Sequence, residues 1–129
     1  MSPEPAVLDA SAVLAYLHSE DGSHTVREAL DGAVMSAVNL AEVHSVVTER
    51  GADGNRATAR LLGMGVRVEP FDEGDAAVVG ALRPGTKRLG LSLADRACLA
   101  LGLRLGVPVL AADAALAGAD VRVEVVLIR

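Results

Sequence analysis

The sequence predicts one α/β domain over residues 1–129, a three-layer α/β/α sandwich around a mostly parallel sheet. Short apolar runs typical of buried strands alternate along the chain with segments of helical periodicity. Two of these runs end at an aspartate, Asp9 or Asp113, and a helical segment follows each at once. Apolar residues make up 51% of the chain and aromatic residues only 2%, so small aliphatic side chains must pack the helices closely against the sheet.

Five apolar runs are the predicted strands, and turn residues or helical segments separate them. Arg122 and Glu124 place charges in the last run, which indicates a strand at the edge of the sheet. The predicted strands are residues 6–8, 34–35, 66–68, 107–110 and 121–128.

The strongest helix signal lies in residues 89–105, where apolar side chains recur at helical spacing. Ser92 and Asp95, three positions apart, are typical of a capping box at the start of such a helix. The basic segment from Arg83 to Arg88, directly before it, is predicted to be a loop. The other predicted helices are residues 11–17, 25–30, 37–50, which Ser36 can cap, 56–62, 72–82 and 114–117.

The charge and composition limit the possible function. The net charge is −5 and the pI is near 5.1, so attraction of nucleic acid would have to come from local patches or bound metal ions. No run approaches the roughly 20 apolar residues of a membrane span. Met1 to Pro5 lack the features of a signal peptide, so a cytoplasmic protein is predicted. Cys98 is the only cysteine, which excludes an internal disulfide, and it lies on an apolar stripe where a buried side chain is expected.

Four acids, Asp9, Glu42, Asp95 and Asp113, lie at strand ends or on helices that could meet at one edge of the sheet. Each also has a simpler structural interpretation, as a helix cap or a solvated side chain. Gathered carboxylates repel one another unless they are protonated or bind a cation. Oxygen ligands favour Mg²⁺ or Mn²⁺, and such ions suit phosphoryl chemistry.

Other ligands and substrates are less well supported by the sequence. The three histidines show no paired ligand spacing with Cys98, so a zinc site is not predicted, and they are expected at the surface or at helix caps. No Gly-x-x-x-x-Gly-Lys loop is present and Lys87 is the only lysine, so a phosphodiester fits better than a nucleoside triphosphate. The histidines are His18, His24 and His44.

Four segments together resemble PIN domains, and within that superfamily they are most similar to VapC toxins of bacterial toxin–antitoxin pairs. The resemblance covers nearly the whole chain in the expected order and spacing. The segments are residues 7–15 (VLDASAVLA), 36–43 (SAVNLAEV), 91–100 (LSLADRACLA) and 109–113 (VLAAD).

The resemblance implies a magnesium-dependent endoribonuclease, with Mn²⁺ as a possible substitute, in which metal-activated water attacks an RNA phosphodiester. Asp9 and Asp95 match the main metal-binding aspartates of the family, Glu42 its motif glutamate, and Asp113 its fourth acid, also a metal ligand. The family further implies a homodimer. It also implies silencing by a VapB-like antitoxin whose tail enters the acidic groove.

The sequence departs from the family at one point, because many relatives carry a hydroxyl residue shortly before the fourth acid. This chain has Ala111 and Ala112 there, which puts in question how Asp113 is held and whether it contacts metal directly. Charge and position alone indicate four residues for contacts with RNA phosphates: Arg83, Lys87, Arg88 and Arg96.

Three alternatives stay open from the residues alone. A phosphoacceptor receiver domain shares the size, class and acidity, but Asp9 is followed by Ala10 and Ser11 rather than by the second acid it would need. A haloacid-dehalogenase-type phosphatase lacks its second aspartate at the same place. The third is a PIN fold that has lost catalysis and binds RNA or a partner, which metal-dependent cleavage would distinguish.

Overall fold

The predicted fold class is confirmed by a computed structural model that describes residues 5–129. Five strands form one sheet in the order β3-β2-β1-β4-β5, and every neighbouring pair is parallel. The prediction that Met1 to Pro5 lack a signal peptide concerns residues 1–4, which lie outside the described range, and Pro5. The strands are β1 (Val7–Leu8), β2 (Val34–Ser36), β3 (Arg67–Glu69), β4 (Val109–Ala111) and β5 (Val125–Leu127).

Within residues 5–129, eight α-helices and one short 3₁₀ turn, Lys87–Leu89, connect the strands. No helix in this range combines the length and apolar character that crossing a membrane requires. The helices are α1 (Ala10–Leu17), α2 (Ser23–Ala29), α3 (Ala37–Glu49), α4 (Gly54–Gly63), α5 (Glu73–Ala81), α6 (Arg83–Thr86), α7 (Leu93–Leu105) and α8 (Ala114–Ala117).

The sheet divides the core into two main parts because successive strand residues point to opposite faces. Leu8, Met35 and Leu110 pack on one face with residues of α1 to α4. Val7 and Val109 pack on the other face with α7 and α8. These layers form the predicted sandwich, and β1 lies at its centre between β2 and β4.

Helix α7 approaches the sheet closely at Gly102. A Cβ atom built on this glycine would lie 2.8 Å from Cγ2 of Val123 and 2.9 Å from Cγ2 of Val109. Cys98, one turn earlier, is fully buried, as predicted. The helix ends at Gly106, whose φ of 68° places it in the left-handed region that favours glycine.

The basic segment 83–88 is a correction to the sequence prediction, because it forms α6 and the start of the 3₁₀ turn rather than a loop. Pro84 lies in the first turn of α6, where a missing N–H costs little. The hydroxyl of Thr86 donates to the carbonyl of Leu82 at 2.7 Å and ties the turn to the end of α5.

The last strand is shorter than predicted, whereas the central helix has its predicted cap. β5 lies at the edge of the sheet, as predicted, but it begins at Val125 because its pairing with β4 extends over only three residues. Helix α7 begins at Leu93 with Ser92 as its cap, as the predicted capping box requires. The other predicted bounds agree with the structure within two residues.

Candidate functional site

Asp9 is a buried carboxylate at the carboxyl edge of the sheet. It follows β1, caps α1 and is only 2% exposed. Its Oδ2 accepts hydrogen bonds from the backbone N–H of Ser11 at 3.1 Å and from the Ser11 hydroxyl, while Oδ1 lies 3.4 Å from Nδ2 of Asn39. Burial raises the pKa of Asp9, the Ser11 hydrogen bonds oppose this, and the charge of Asp95 raises it further.

Asp95 lies in the first turn of α7, and the predicted capping box is confirmed. Its Oδ2 accepts from the backbone N–H of Ser92 at 2.8 Å, and its own N–H donates to the Ser92 hydroxyl at 3.1 Å. The Cys98 thiol lies 3.0 Å from the carbonyl of Asp95 and 3.4 Å from Oδ1 of Asp9. One thiol proton can satisfy only one of these acceptors at a time.

Glu42 brings a third carboxylate from α3. It is half-buried at the edge of the packed face of this helix, as predicted. Burial raises the pKa of Glu42, and the charges of Asp9 and Asp95 raise it further. Asp9, Glu42 and Asp95 therefore come from three separate elements and lie within electrostatic range of one another.

Asp113 is placed differently from the other three acids. It is exposed, caps α8 and accepts from the backbone N–H of Ala115 at 2.9 Å. Its charge is not among the causes that raise the pKa of Asp9 or Glu42. The Ser11 hydroxyl accepts a 2.9 Å hydrogen bond from the N–H of Ala112, so the residue before Asp113 is tied to the cluster through Ser11.

Asn39 is a site residue that the sequence analysis did not single out. It is 0% exposed, and Nδ2 donates to the carbonyl of Ala94 at 3.0 Å in addition to its contact with Asp9. Its Oδ1 is buried and has no hydrogen-bond partner within residues 5–129. The available signal was its position one helical turn before Glu42 on the polar stripe of α3.

A sequence profile of the PIN domain matches residues 6–121. This chain belongs to the PIN domain family. The match sets aside the receiver and phosphatase alternatives, which belong to other families. Among curated proteins, none matches the sequence significantly.

Solved structures of toxin–antitoxin proteins share this PIN fold over nearly their whole length. A toxin–antitoxin complex from Klebsiella pneumoniae matches with a TM-score of 0.74 at 17% identity, covering 96% of this chain and 98% of that one. VapBC2 from Rickettsia felis, bound to a promoter DNA fragment, gives 0.74 at 14% identity, with 96% and 98% covered. VapC20 from Mycobacterium tuberculosis, described as a toxin that cleaves the sarcin–ricin loop, gives 0.72 at 19% identity, with 94% and 99% covered.

The acids of this PIN domain have the chemistry of a site for a hard divalent ion. Throughout residues 5–129, none of Asp9, Glu42 and Asp95 forms a salt bridge with a basic side chain. No three His, Cys, Asp or Glu side chains in this range are arranged to hold one ion together. Because Mg²⁺ keeps several waters and commonly uses only one or two carboxylates, the donor set fits an ion bound partly through water.

The four basic residues predicted to contact RNA differ in their surroundings. Arg83, Lys87 and Arg88 are exposed on α6 and the 3₁₀ turn. Arg96 is half-buried, and its guanidinium donates to the carbonyl of Val79 at 3.0 Å and to that of Ser92 at 3.3 Å. This side chain therefore joins α7 to α5, and a contact with RNA would compete with these hydrogen bonds.

Two of the three histidines of the PIN domain lie where the sequence predicts them. His24 is exposed beside Glu28, and His18 caps the end of α1. His44 is a correction, because it is half-buried between α3 and α4, with Nε2 bonded to the hydroxyl of Thr58. Gly54 leaves the space that the His44 ring occupies, since a Cβ there would lie 2.5 Å from Nδ1.

A cavity of about 530 Å³ lies away from the acids of the PIN domain, beside the C-terminal end of α1. Arg27 and Arg60 contribute positive charge to it, and no carboxylate lines it. The acid cluster, rather than this cavity, is therefore the candidate catalytic site.

Proposed function

We propose that this PIN domain is a metal-dependent endoribonuclease that hydrolyses RNA phosphodiester bonds as the toxin of a toxin–antitoxin pair. The observation that carries this proposal is the convergence of Asp9, Glu42 and Asp95 without a neutralising basic side chain in the described range. Repulsion among such carboxylates destabilises a fold unless a cation binds to them.

We assign Asp9 and Asp95 as ligands of the metal ion. Asp113, which is exposed at the rim of the acid cluster, is assigned as the third ligand. A bound Mg²⁺ or Mn²⁺ would lower the pKa of a water molecule and stabilise negative charge on the phosphate. Asp95 is suited to this role because its cap hydrogen bond uses Oδ2 and leaves Oδ1 free of hydrogen bonds within the described residues.

Glu42 is the residue we assign to the proton of the attacking water. Its carboxylate makes no hydrogen bond within residues 5–129, so both oxygens are available to orient a water molecule and accept a proton.

The comparisons support the biological part of the proposal. The similar structures include a toxin–antitoxin complex and a toxin described as cleaving the sarcin–ricin loop. We extend to this chain the class of activity and an antitoxin partner that covers the acids. We also propose a homodimer in the cytoplasm, as the family resemblance implies.

The test is cleavage of mixed cellular RNA by the purified protein, free of any partner, with Mg²⁺, with Mn²⁺ and with chelator. Asp95→Asn retains an oxygen that can accept the Ser92 N–H, so the cap should survive while the carboxylate is lost. Asp75→Asn is the matched control, because Asp75 has the same capping role toward Asp72 on α5.

We expect discrete, metal-dependent cuts from the wild type and Asp75→Asn, and at least a roughly 100-fold loss of rate in Asp95→Asn. Cleavage by Asp95→Asn at the wild-type rate would overturn the site assignment. A folded wild type that cuts no RNA with either metal would favour the PIN fold that only binds.

A further inference from the structure

Asn39 lies between the elements that carry the three clustered acids. Its Nδ2 is 3.4 Å from Oδ1 of Asp9 and 3.0 Å from the carbonyl of Ala94. Ala94 directly precedes Asp95, and Asn39 itself lies one helical turn before Glu42 on α3. One amide group therefore contacts the Asp9 carboxylate and the first turn of α7 from the helix that carries Glu42.

The hydrogen-bonding capacity of the amide matches this position. The two N–H groups of Nδ2 diverge at a fixed angle, so one can be used for Asp9 and the other for Ala94. Because the clustered carboxylates repel one another, a neutral donor between their elements opposes their separation without cancelling their charge. A lysine or arginine in its place would neutralise the cluster and compete with a metal ion.

The oxygen of the amide, Oδ1, indicates that Asn39 serves the fold through its donor, Nδ2. Oδ1 of Asn39 is buried without a hydrogen-bond partner in the described part of the chain, and such orphaned acceptors are uncommon. An apolar side chain of similar size would remove this unsatisfied oxygen. The cost of the unsatisfied oxygen is therefore offset by Nδ2, which contacts two acceptors, Asp9 and the Ala94 carbonyl.

We propose that Asn39 is a positioning residue that sets the spacing of Asp9, Glu42 and Asp95 and thereby the affinity of the site for a divalent cation. This inference rests on the proposed metal-dependent function. Asn39 acts through the carboxylates and holds the first turn of α7 toward Asp9. Cys98 is a weaker candidate for this role because a thiol is a poor donor and has one proton for two acceptors.

The experiment measures Mn²⁺ binding by calorimetry, without RNA, to the wild type, Asn39→Leu and Asn39→Ala. Both variants lack the amide donors, and the alanine keeps the test open if leucine does not fit. Thr86→Val is the matched control, because Thr86 is 1% exposed and donates to a backbone carbonyl away from the acids. Urea unfolding in chelator gives the stability of each variant separately.

We expect the Asn39 variants to bind Mn²⁺ about 10- to 100-fold more weakly, the loss typical of residues that orient metal ligands. Thr86→Val should bind Mn²⁺ as the wild type does, even where its stability falls. In RNA cleavage, the Asn39 variants should require more Mn²⁺ for half-maximal rate while the KM for RNA is unchanged.

Two outcomes would overturn the inference. One is a folded Asn39 variant with wild-type Mn²⁺ affinity, and the other is complete unfolding of both variants, which would make Asn39 a requirement of the fold itself. A wild type that neither binds Mn²⁺ nor cuts RNA would instead contradict the proposed function, so the two failures are distinguishable.

Discussion

The hydroxyl of Ser11 accepts a 2.9 Å hydrogen bond from the backbone N–H of Ala112. The same hydroxyl donates to the carboxylate of Asp9, so it joins the ends of the neighbouring strands β1 and β4. The family resemblance implies a hydroxyl residue close before the fourth acid, whereas this chain has Ala111 and Ala112. Here the hydroxyl at this edge of the sheet comes from the first turn of α1.

Ser11→Ala should lower the free energy of unfolding by about 1–2 kcal/mol, because it leaves the Ala112 N–H without its acceptor and removes one of the two hydrogen bonds to Oδ2 of Asp9, which keeps only the backbone N–H of residue 11. Urea unfolding in chelator measures this effect. Ser45→Ala is the control, since Ser45 is exposed and bonds only within α3, and a change within about 0.5 kcal/mol is expected. Equal effects of the two substitutions would show that the Ser11 bridge contributes no special stability.

Gly102→Ala should destabilise the protein by about 1–3 kcal/mol, because the added methyl group would overlap Val109 and Val123 where α7 meets the sheet. Gly80→Ala is the matched substitution on α5, where a Cβ would have nothing within 4 Å. There the better helix propensity of alanine should add about 0.5–1 kcal/mol. Thermal or urea unfolding of both variants checks the opposite signs, and a stabilised Gly102→Ala would contradict the close packing of α7.

Glu42→Gln should stabilise the protein at neutral pH and have little effect in acid. The pKa of Glu42 is raised above its ordinary value of 4.5, so the protonated carboxyl favours the folded state over the unfolded state. This contribution to the free energy of unfolding is complete below pH 4.5 and is lost as pH rises through the raised pKa. Above this range, the ionised carboxylate is penalised first by burial and then by repulsion from Asp9 and Asp95, and the uncharged Gln side chain removes both costs. Because Glu42 is partly exposed, solvent screening limits the gain to less than about 1 kcal/mol.

Unfolding at about pH 4 and about pH 8 in chelator tests this dependence on pH. Glu49→Gln, at the exposed end of the same helix, is the control and should show no comparable increase with pH. If Glu42→Gln were less stable than the wild type at the higher pH, the repulsion among the acids would not be a cost to the fold.

The local parts of the site could be predicted from the sequence, because they depend on neighbouring residues. Ser92 and Asp95 form the expected capping box, and Asp9 and Asp113 follow strands and cap helices as expected. The pattern of a helix start is contained within a few positions and needs no tertiary contact. Segment 83–88 shows the limit of this approach, because its proline and glycine indicate a turn whereas Thr86 extends the helical path through a side-chain bond.

The long-range parts could not be predicted, because they depend on how separate elements pack. Nothing near Asn39 in sequence shows that α7 will bring the Ala94 carbonyl to its amide, 55 positions away. The bond between Ser11 and Ala112 spans 101 positions and requires β1 and β4 to be neighbours. The sequence therefore indicated which acids could meet, while the order of the strands determines the neutral groups that hold them.

Removal of divalent metal should lower the stability of the wild type and leave Asp9→Asn nearly unaffected. A cation that binds only the folded state adds about 2.7 kcal/mol when its concentration is 100 times Kd. Asn at position 9 can still accept from Ser11, but it lacks the charge that holds a cation. Thermal unfolding with Mn²⁺ and with chelator measures the difference, with Asp113→Asn as a second variant at the exposed rim. Equal stabilisation of the wild type and Asp9→Asn by Mn²⁺ would place the ion outside the acid cluster. If Asp113→Asn loses less of the stabilisation by Mn²⁺ than Asp9→Asn does, we would assign Asp113 a contact with the ion through water.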